Sequence, residues 1–211
     1  MNKAAPVSRH QERTEITRAR LIQSAEKVFA RDGFEAAKLE EIATDAGYTR
    51  GAFYANFDSK EDLFFALLER EISMRITALE REMDKVREPE AKLKAMRDFF
   101  LTKTLDRRWA LLSLEFKLFA VRHPEVRQRL AEMHRRFVGP RGGFLEKVMK
   151  ALGRDLPASA YVTGVSLAAL GNSLTLEHML DPAVMPERDM RRIMANFFDS
   201  LTSTPKKHNT K

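Results

Sequence analysis

"GYTRGAFYANFDSKEDLF", residues 47–64, is the stretch on which the fold turns. Phe53 and Phe57 lie four residues apart, a helical spacing that sends both rings to one side. Thr49 is a natural N-cap for that helix, and Gly47 stops the one before it. Upstream, Leu39, Ile42, Ala43 and Ala46 fall at i, i+3, i+4 and i+7, the pattern of an amphipathic helix of about two turns. Downstream, Ser59 caps a further helix with Asp62 three residues on, a variant of the capping box, and Leu63, Phe64, Leu67 and Leu68 supply its buried face. Two short helices joined by a glycine-containing turn are what a helix-turn-helix needs, because the turn sets them near a right angle and leaves the second protruding.

With Phe53 and Phe57 inward, Arg50, Ala52 and Tyr54, together with Thr49 and Gly51, face away from the core. Each suits a nucleic-acid groove. Arg50 near a helix N-terminus can give two parallel hydrogen bonds to guanine O6 and N7, Tyr54 can donate to a phosphate, and Gly51 permits close backbone approach. On spacing alone, a compact three-helix subdomain with a solvated outer face fits equally well.

More of the chain narrows the choice. Residues 17–64 resemble the N-terminal DNA-binding domain of the tetracycline-repressor (TetR) family of bacterial transcription regulators. Four blocks agree in order and spacing: "ARLIQSAEKVFARDGF", "IATDAG", "TRGAFYANF" and "SKEDLF". The resemblance implies that Thr49, Arg50, Gly51 and Ala52 face the groove, that Tyr54 and Asn56 contact the backbone, and that Lys60 holds a phosphate. A helix N-terminus, where Lys60 sits, favours an anion in its own right. Lys38 stands where family members often carry a threonine or serine; it can reach a phosphate but cannot cap a helix with a side-chain oxygen. Arg18 is counted with the DNA-contacting residues as one of five basic side chains in the first twenty residues, which read as an arm near phosphates or as a solvated tail.

Composition bounds the class. At 211 residues, 44% hydrophobic and 32% charged, the chain can bury a sizeable core. Neither a long apolar run nor an apolar leader segment occurs, so no membrane span is expected and the cytoplasm is the expected compartment. With no cysteine and five scattered histidines, no disulfide, metal site or cofactor is expected. The net charge of +7 does not single out the N-terminal region, since residues 103–154 alone hold 13 Lys/Arg against 5 Asp/Glu.

Helical periodicity dominates everywhere, so the fold is read as all-α: a helix-turn-helix domain followed by a larger helical bundle. The expected division is a flexible basic arm over 1–14, the DNA-binding domain over 15–62, a ligand-binding and dimerisation domain over 63–202, and a disordered tail over 203–211. Met190, Ile193, Met194, Phe197, Phe198 and Leu201 form a wide apolar stripe on the last helix. Gly164, Ala168 and Gly171 mark the preceding helix as one that can be approached closely. These two helices either pack within one subunit or, as the resemblance implies, build a four-helix contact between two subunits of a homodimer.

The segment "RRWALLSLEFKLFAVRHPE" is apolar almost all round, the pattern of a helix at the centre of a bundle. Trp109, Leu112, Phe116 and Phe119 share one face of it, with Phe99, Phe100, Phe137 and Phe144 on adjacent helices. These side chains line a cavity for a flat or greasy small molecule, or else fill a plain core. Glu115, among apolar neighbours, requires a partner, either an arginine from another helix or a polar group of a ligand. The leading expectation is a repressor that binds a palindromic operator in double-stranded DNA and is released by a hydrophobic or aromatic inducer. A regulator without a ligand and a small helical enzyme stand as alternatives, although no recognisable catalytic spacing exists.

Overall fold

The structure, a computed structural model, describes residues 8–103, 106–138 and 143–203, with the side chains of residues 137 and 138 outside that description. Every regular element among the described residues is a helix: α1 (Arg9–Asp32), α2 (Leu39–Asp45), α3 (Arg50–Tyr54), α4 (Lys60–Asp84), α5 (Pro89–Lys103), α6 (Arg107–Arg122), α7 (Pro124–Val138), α8 (Gly143–Ala151), α9 (Ala160–Leu180) and α10 (Glu187–Thr202). The chain divides into two compact units after Glu71, inside α4. The expected boundary after residue 62 fell on the cap signal at Ser59, but that signal starts a helix which runs on for 25 residues.

The first unit is built around three phenylalanines. Phe29, Phe34 and Phe64 meet with ring centroids 5.1 to 5.5 Å apart, within the range of favourable tilted and edge-on pairs. Leu21, Ala25, Ile42 and Phe53 close around them, each almost fully buried. The one polar side chain buried deeply in α1, Ser24, is satisfied by donating to the Ile42 carbonyl at 2.8 Å.

Two expectations are corrected at the ends of the chain and in α6. The arm foreseen over residues 1–14 is helical from Arg9, because Ser8 and Gln11 form a reciprocal capping box that starts α1 there. Residues 1–7, and the tail beyond Ser203, lie outside the described residues. Nor is α6 enclosed on all sides: Leu118 and Val121 are 59% and 67% exposed, so one apolar face of this helix is open.

In the second unit, α6 packs on α7 and α9, α9 on α10, and α5 on α8 and α10. Pro89 and Pro124 each open a helix, where a missing N–H costs nothing. The core forms one cluster around Met83, Leu93, Met149 and Phe198 and another around Leu174, Met190 and Met194.

Candidate functional site

The α2–α3 turn follows from Gly47. Its φ of 80° lies in the left-handed region, which costs a residue with a side chain roughly 1–2 kcal/mol. In that conformation the Gly47 N–H donates to the Thr44 carbonyl at 2.9 Å and the Tyr48 N–H to the Ala43 carbonyl at 2.8 Å, the paired bonds of a Schellman motif. Thr49 then caps α3, its hydroxyl accepting from the Ala52 N–H at 3.2 Å. Phe53 and Phe57 are both buried, which fixes the rotation of α3 about its axis.

That rotation leaves Thr49, Arg50, Gly51 and Tyr54 exposed and Ala52 half-buried beside them. Arg50 is held by Glu40 of α2, Nη1 to Oε1 2.7 Å, and its guanidinium carbon lies 5.6 Å from the Tyr54 ring centre. Lys38 is exposed at the N-cap of α2 and makes no side-chain cap bond.

Three other residues expected at this surface donate hydrogen bonds to backbone carbonyls within the unit. Arg18 lies 4.1 Å over the Phe57 ring and donates to the Asn56 carbonyl at the C-terminal end of α3. Asn56 donates its amide to the Ala52 carbonyl at 2.8 Å. Lys60 donates to the Glu35 carbonyl at 2.8 Å and the Ala37 carbonyl at 3.2 Å, with its ammonium 4.9 Å from the Phe34 ring centre. Burial pushes that ammonium below the usual lysine range. Lys60→Met is therefore expected to destabilise the protein by about 1.5 to 3 kcal/mol, the range for hydrogen bonds to a charged group. Urea melts of the two proteins measure it; an unchanged midpoint would show that Lys60 braces nothing.

The second unit holds a cavity of about 310 Å³. Phe99, Trp109 and Phe144 line it, as the sequence suggested. Leu112, Glu115, Phe116 and Phe119 do not: Leu112 and Phe116 are packed into the core, Glu115 is half-buried, and Phe119 stacks on His123 with ring centroids 3.9 Å apart. The Phe137 side chain lies outside the described residues. Arg75, Gly164, Ala168 and Asn172 also line the cavity and were not foreseen as ligand residues. Among the described residues no group of acidic, histidine or cysteine side chains has a metal-binding arrangement, and no helix is long and apolar enough to cross a membrane.

A third feature is the outer side of α9 and α10. Met190, Met194 and Phe198 are buried in their own unit and Phe197 and Leu201 pack against its core, so five of the six residues of the α10 stripe are used internally. Ile193 remains 40% exposed, and on α9 Val162, Val165 and Leu180 are exposed.

A helix-turn-helix with an exposed, capped second helix, followed by a helical unit with an open, largely apolar cavity, defines a DNA-binding transcriptional regulator. Residues 21–67 match the bacterial regulatory proteins of the tetR family, and residues 89–203, more than half of the chain, match the C-terminal domain of BetI-type transcriptional repressors. The chain belongs to the TetR family of transcriptional regulators. It is 43% identical over 63 residues to the HTH-type transcriptional regulator TtgR of Pseudomonas putida, a match that covers 30% of each chain. Alignments to such sequence relatives span between 21% and 63% of their lengths. The fold is shared with FadR of Bacillus subtilis in complex with stearoyl-CoA (TM-score 0.66, 18% identity, 89% of this chain and 99% of that one). It is also shared with a transcriptional regulator from Saccharomonospora viridis in complex with choline (TM-score 0.67, 18% identity, 86% and 95%).

Proposed function

We propose that this chain is a cytoplasmic, non-enzymatic repressor that binds a two-fold symmetric operator as a homodimer and leaves it when a small molecule enters the cavity of the second unit. The observation that carries the DNA-binding part is the outward set Thr49, Arg50, Gly51 and Tyr54 on a helix pinned from behind by Phe53 and Phe57. Arg50 reads a guanine and Tyr54 and Lys38 hold phosphates. Arg18 and Asn56 set the position of α3 through the carbonyls they engage, and Lys60 braces the α1–α2 connection through those of Glu35 and Ala37. A helix of five residues reads few base pairs, so selectivity requires a second copy, and two-fold symmetry doubles the site. The exposed apolar sides of α9 and α10 support that pairing.

The experiment is electrophoretic and anisotropy binding to DNA flanking the protein's own gene, repeated across a small-molecule panel. Sequence-selective binding lost on adding one compound supports the reading; binding without selectivity would sink it. Within that assay, Arg50→Ala is expected to cost about 1 to 3 kcal/mol on the selected site and much less on random DNA. Full affinity and selectivity in the variant would remove Arg50 from base reading.

The ligand-responsive part rests on the cavity and on the company this fold keeps. Its solved neighbours hold molecules of opposite charge, an acyl-CoA in one and a quaternary ammonium in the other, so the fold does not decide ligand charge. That has to be read from this chain's own cavity wall.

A further inference from the structure

The cavity wall is apolar except at one end. Among the described residues that line it, the only charged side chains are Arg75 and Lys103, both cationic. Asp106, the nearest counter-charge, is not part of the lining. It takes Arg75 Nη2 on Oδ2 at 2.7 Å and uses Oδ1 to cap α6 through the Trp109 N–H at 3.1 Å. Arg75 Nη1 donates to the Lys103 carbonyl at 3.3 Å. That leaves Nε, which is buried and has no hydrogen-bond partner among the described residues. A buried donor without an acceptor costs on the order of 1–3 kcal/mol, and more when it is charged. What a ligand meets instead is charge: Arg75 and Lys103 outnumber the one carboxylate, Asp106, that pairs with Arg75, so this end of the wall carries an excess positive charge that an anion would offset.

We propose that the cavity takes an amphipathic carboxylate, its head paired with Arg75 and Lys103 and its apolar body lying among Phe99, Phe100, Phe144 and Leu167. The assignment rests on the ligand-responsive reading above and adds the charge and shape of the ligand to it. A quaternary ammonium is disfavoured twice. It would face two like charges, and two of the aromatic faces that would hold it are already taken, Trp109 by Arg75 at 4.8 Å and Phe99 by Lys103 at 6.0 Å. A neutral apolar molecule would fill the same space and leave the excess positive charge without a counter-ion. A space of about 310 Å³ holds an apolar chain and not merely a small ion, and a medium-chain carboxylate serves as the probe.

The chain has a single tryptophan, Trp109, and it forms part of the cavity wall, so its emission reports on occupancy directly. The full-length protein is titrated with decanoate, decan-1-ol and decyltrimethylammonium, following Trp109 fluorescence and the melting temperature. Decanoate is expected to bind at least tenfold more tightly than decan-1-ol, and decyltrimethylammonium to give no saturable change. Arg75→Met should reduce the preference for decanoate to below about threefold while leaving decan-1-ol binding unchanged. Because Arg75 also braces Asp106, Lys103→Met is the second variant; its side chain is exposed at the rim, and it should lower the decanoate preference without lowering the melting temperature. Equal or tighter binding of the alcohol or the ammonium overturns the carboxylate assignment and leaves the ligand-responsive reading standing. Silence toward all three probes also overturns it. If some other compound still releases the operator, only the site is lost; if none does, the ligand-responsive reading fails with it.

Discussion

A protein carrying both Val165→Asp and Ile193→Asp is expected to sediment as a monomer at micromolar concentration and to lose selective operator binding by a hundredfold or more. Both side chains are about two-fifths exposed in the isolated chain, so a carboxylate at either place is solvated in a monomer and its folding should be unaffected. In a two-fold interface the same carboxylates face an apolar surface from both subunits. An uncompensated buried charge costs about 3 to 5 kcal/mol, and symmetry applies the penalty twice. A sequence argument alone would place the charge at Phe197. In the structure Phe197 packs on the cluster containing Met96 and Leu145, so Phe197→Asp would damage the subunit's own core and confuse dissociation with unfolding. Sedimentation equilibrium with circular dichroism separates the two. An intact dimer in the double variant would move the contact to another face, of which the open side of α6 at Leu118 and Val121 is the first to test.

The contrast between Phe197 and Ile193 shows how far the sequence could be read. Periodicity assigns residues to a helix face, but it does not say which neighbour covers that face: five of the six α10 stripe residues pack within the subunit and Ile193 is left exposed. The helix-turn-helix was legible because each of its signals is local: a glycine that takes the left-handed region, a threonine cap, and phenylalanines one turn apart. Lys60 and Arg18 were legible as cations but not as braces, since their acceptors lie 25 and 38 residues away along the chain. Glu40, which holds Arg50, escaped notice for the same reason: it belongs to the neighbouring helix, and no spacing rule links the two. Gly164 and Ala168, which spacing marks as a surface lacking side-chain volume, line the cavity of this chain; spacing says that volume is missing and not what fills it.

That last distinction supplies the sharpest test of ligand control. Gly164→Phe is expected to leave operator affinity within about twofold of the parent while weakening the response to inducer by a hundredfold or more. A Cβ built at Gly164 meets nothing within 4 Å, and the residue lines the cavity, so a larger side chain there enters the space a ligand would use. The helix should gain rather than suffer, because glycine inside a helix is about 0.8 to 1.0 kcal/mol less favourable than alanine, and phenylalanine lies between the two. Leu112→Trp, the choice that helical periodicity alone suggests, would instead overpack a side chain that is only 3% exposed, at about 1 to 3 kcal/mol, and would test stability more than induction. The logic of the experiment is thermodynamic. A ligand releases DNA only to the extent that it binds the non-binding arrangement more tightly than the DNA-bound one. Filling the cavity removes the ligand's affinity for both arrangements, so the equilibrium between them loses its lever while the recognition helix keeps its own contacts. If Gly164→Phe lost operator affinity as well, the ring itself would be acting as a ligand, biasing the protein toward the released arrangement. That outcome would still tie the cavity to DNA binding. A variant that bound its operator and responded to inducer as the parent does would place the regulatory site elsewhere in the protein.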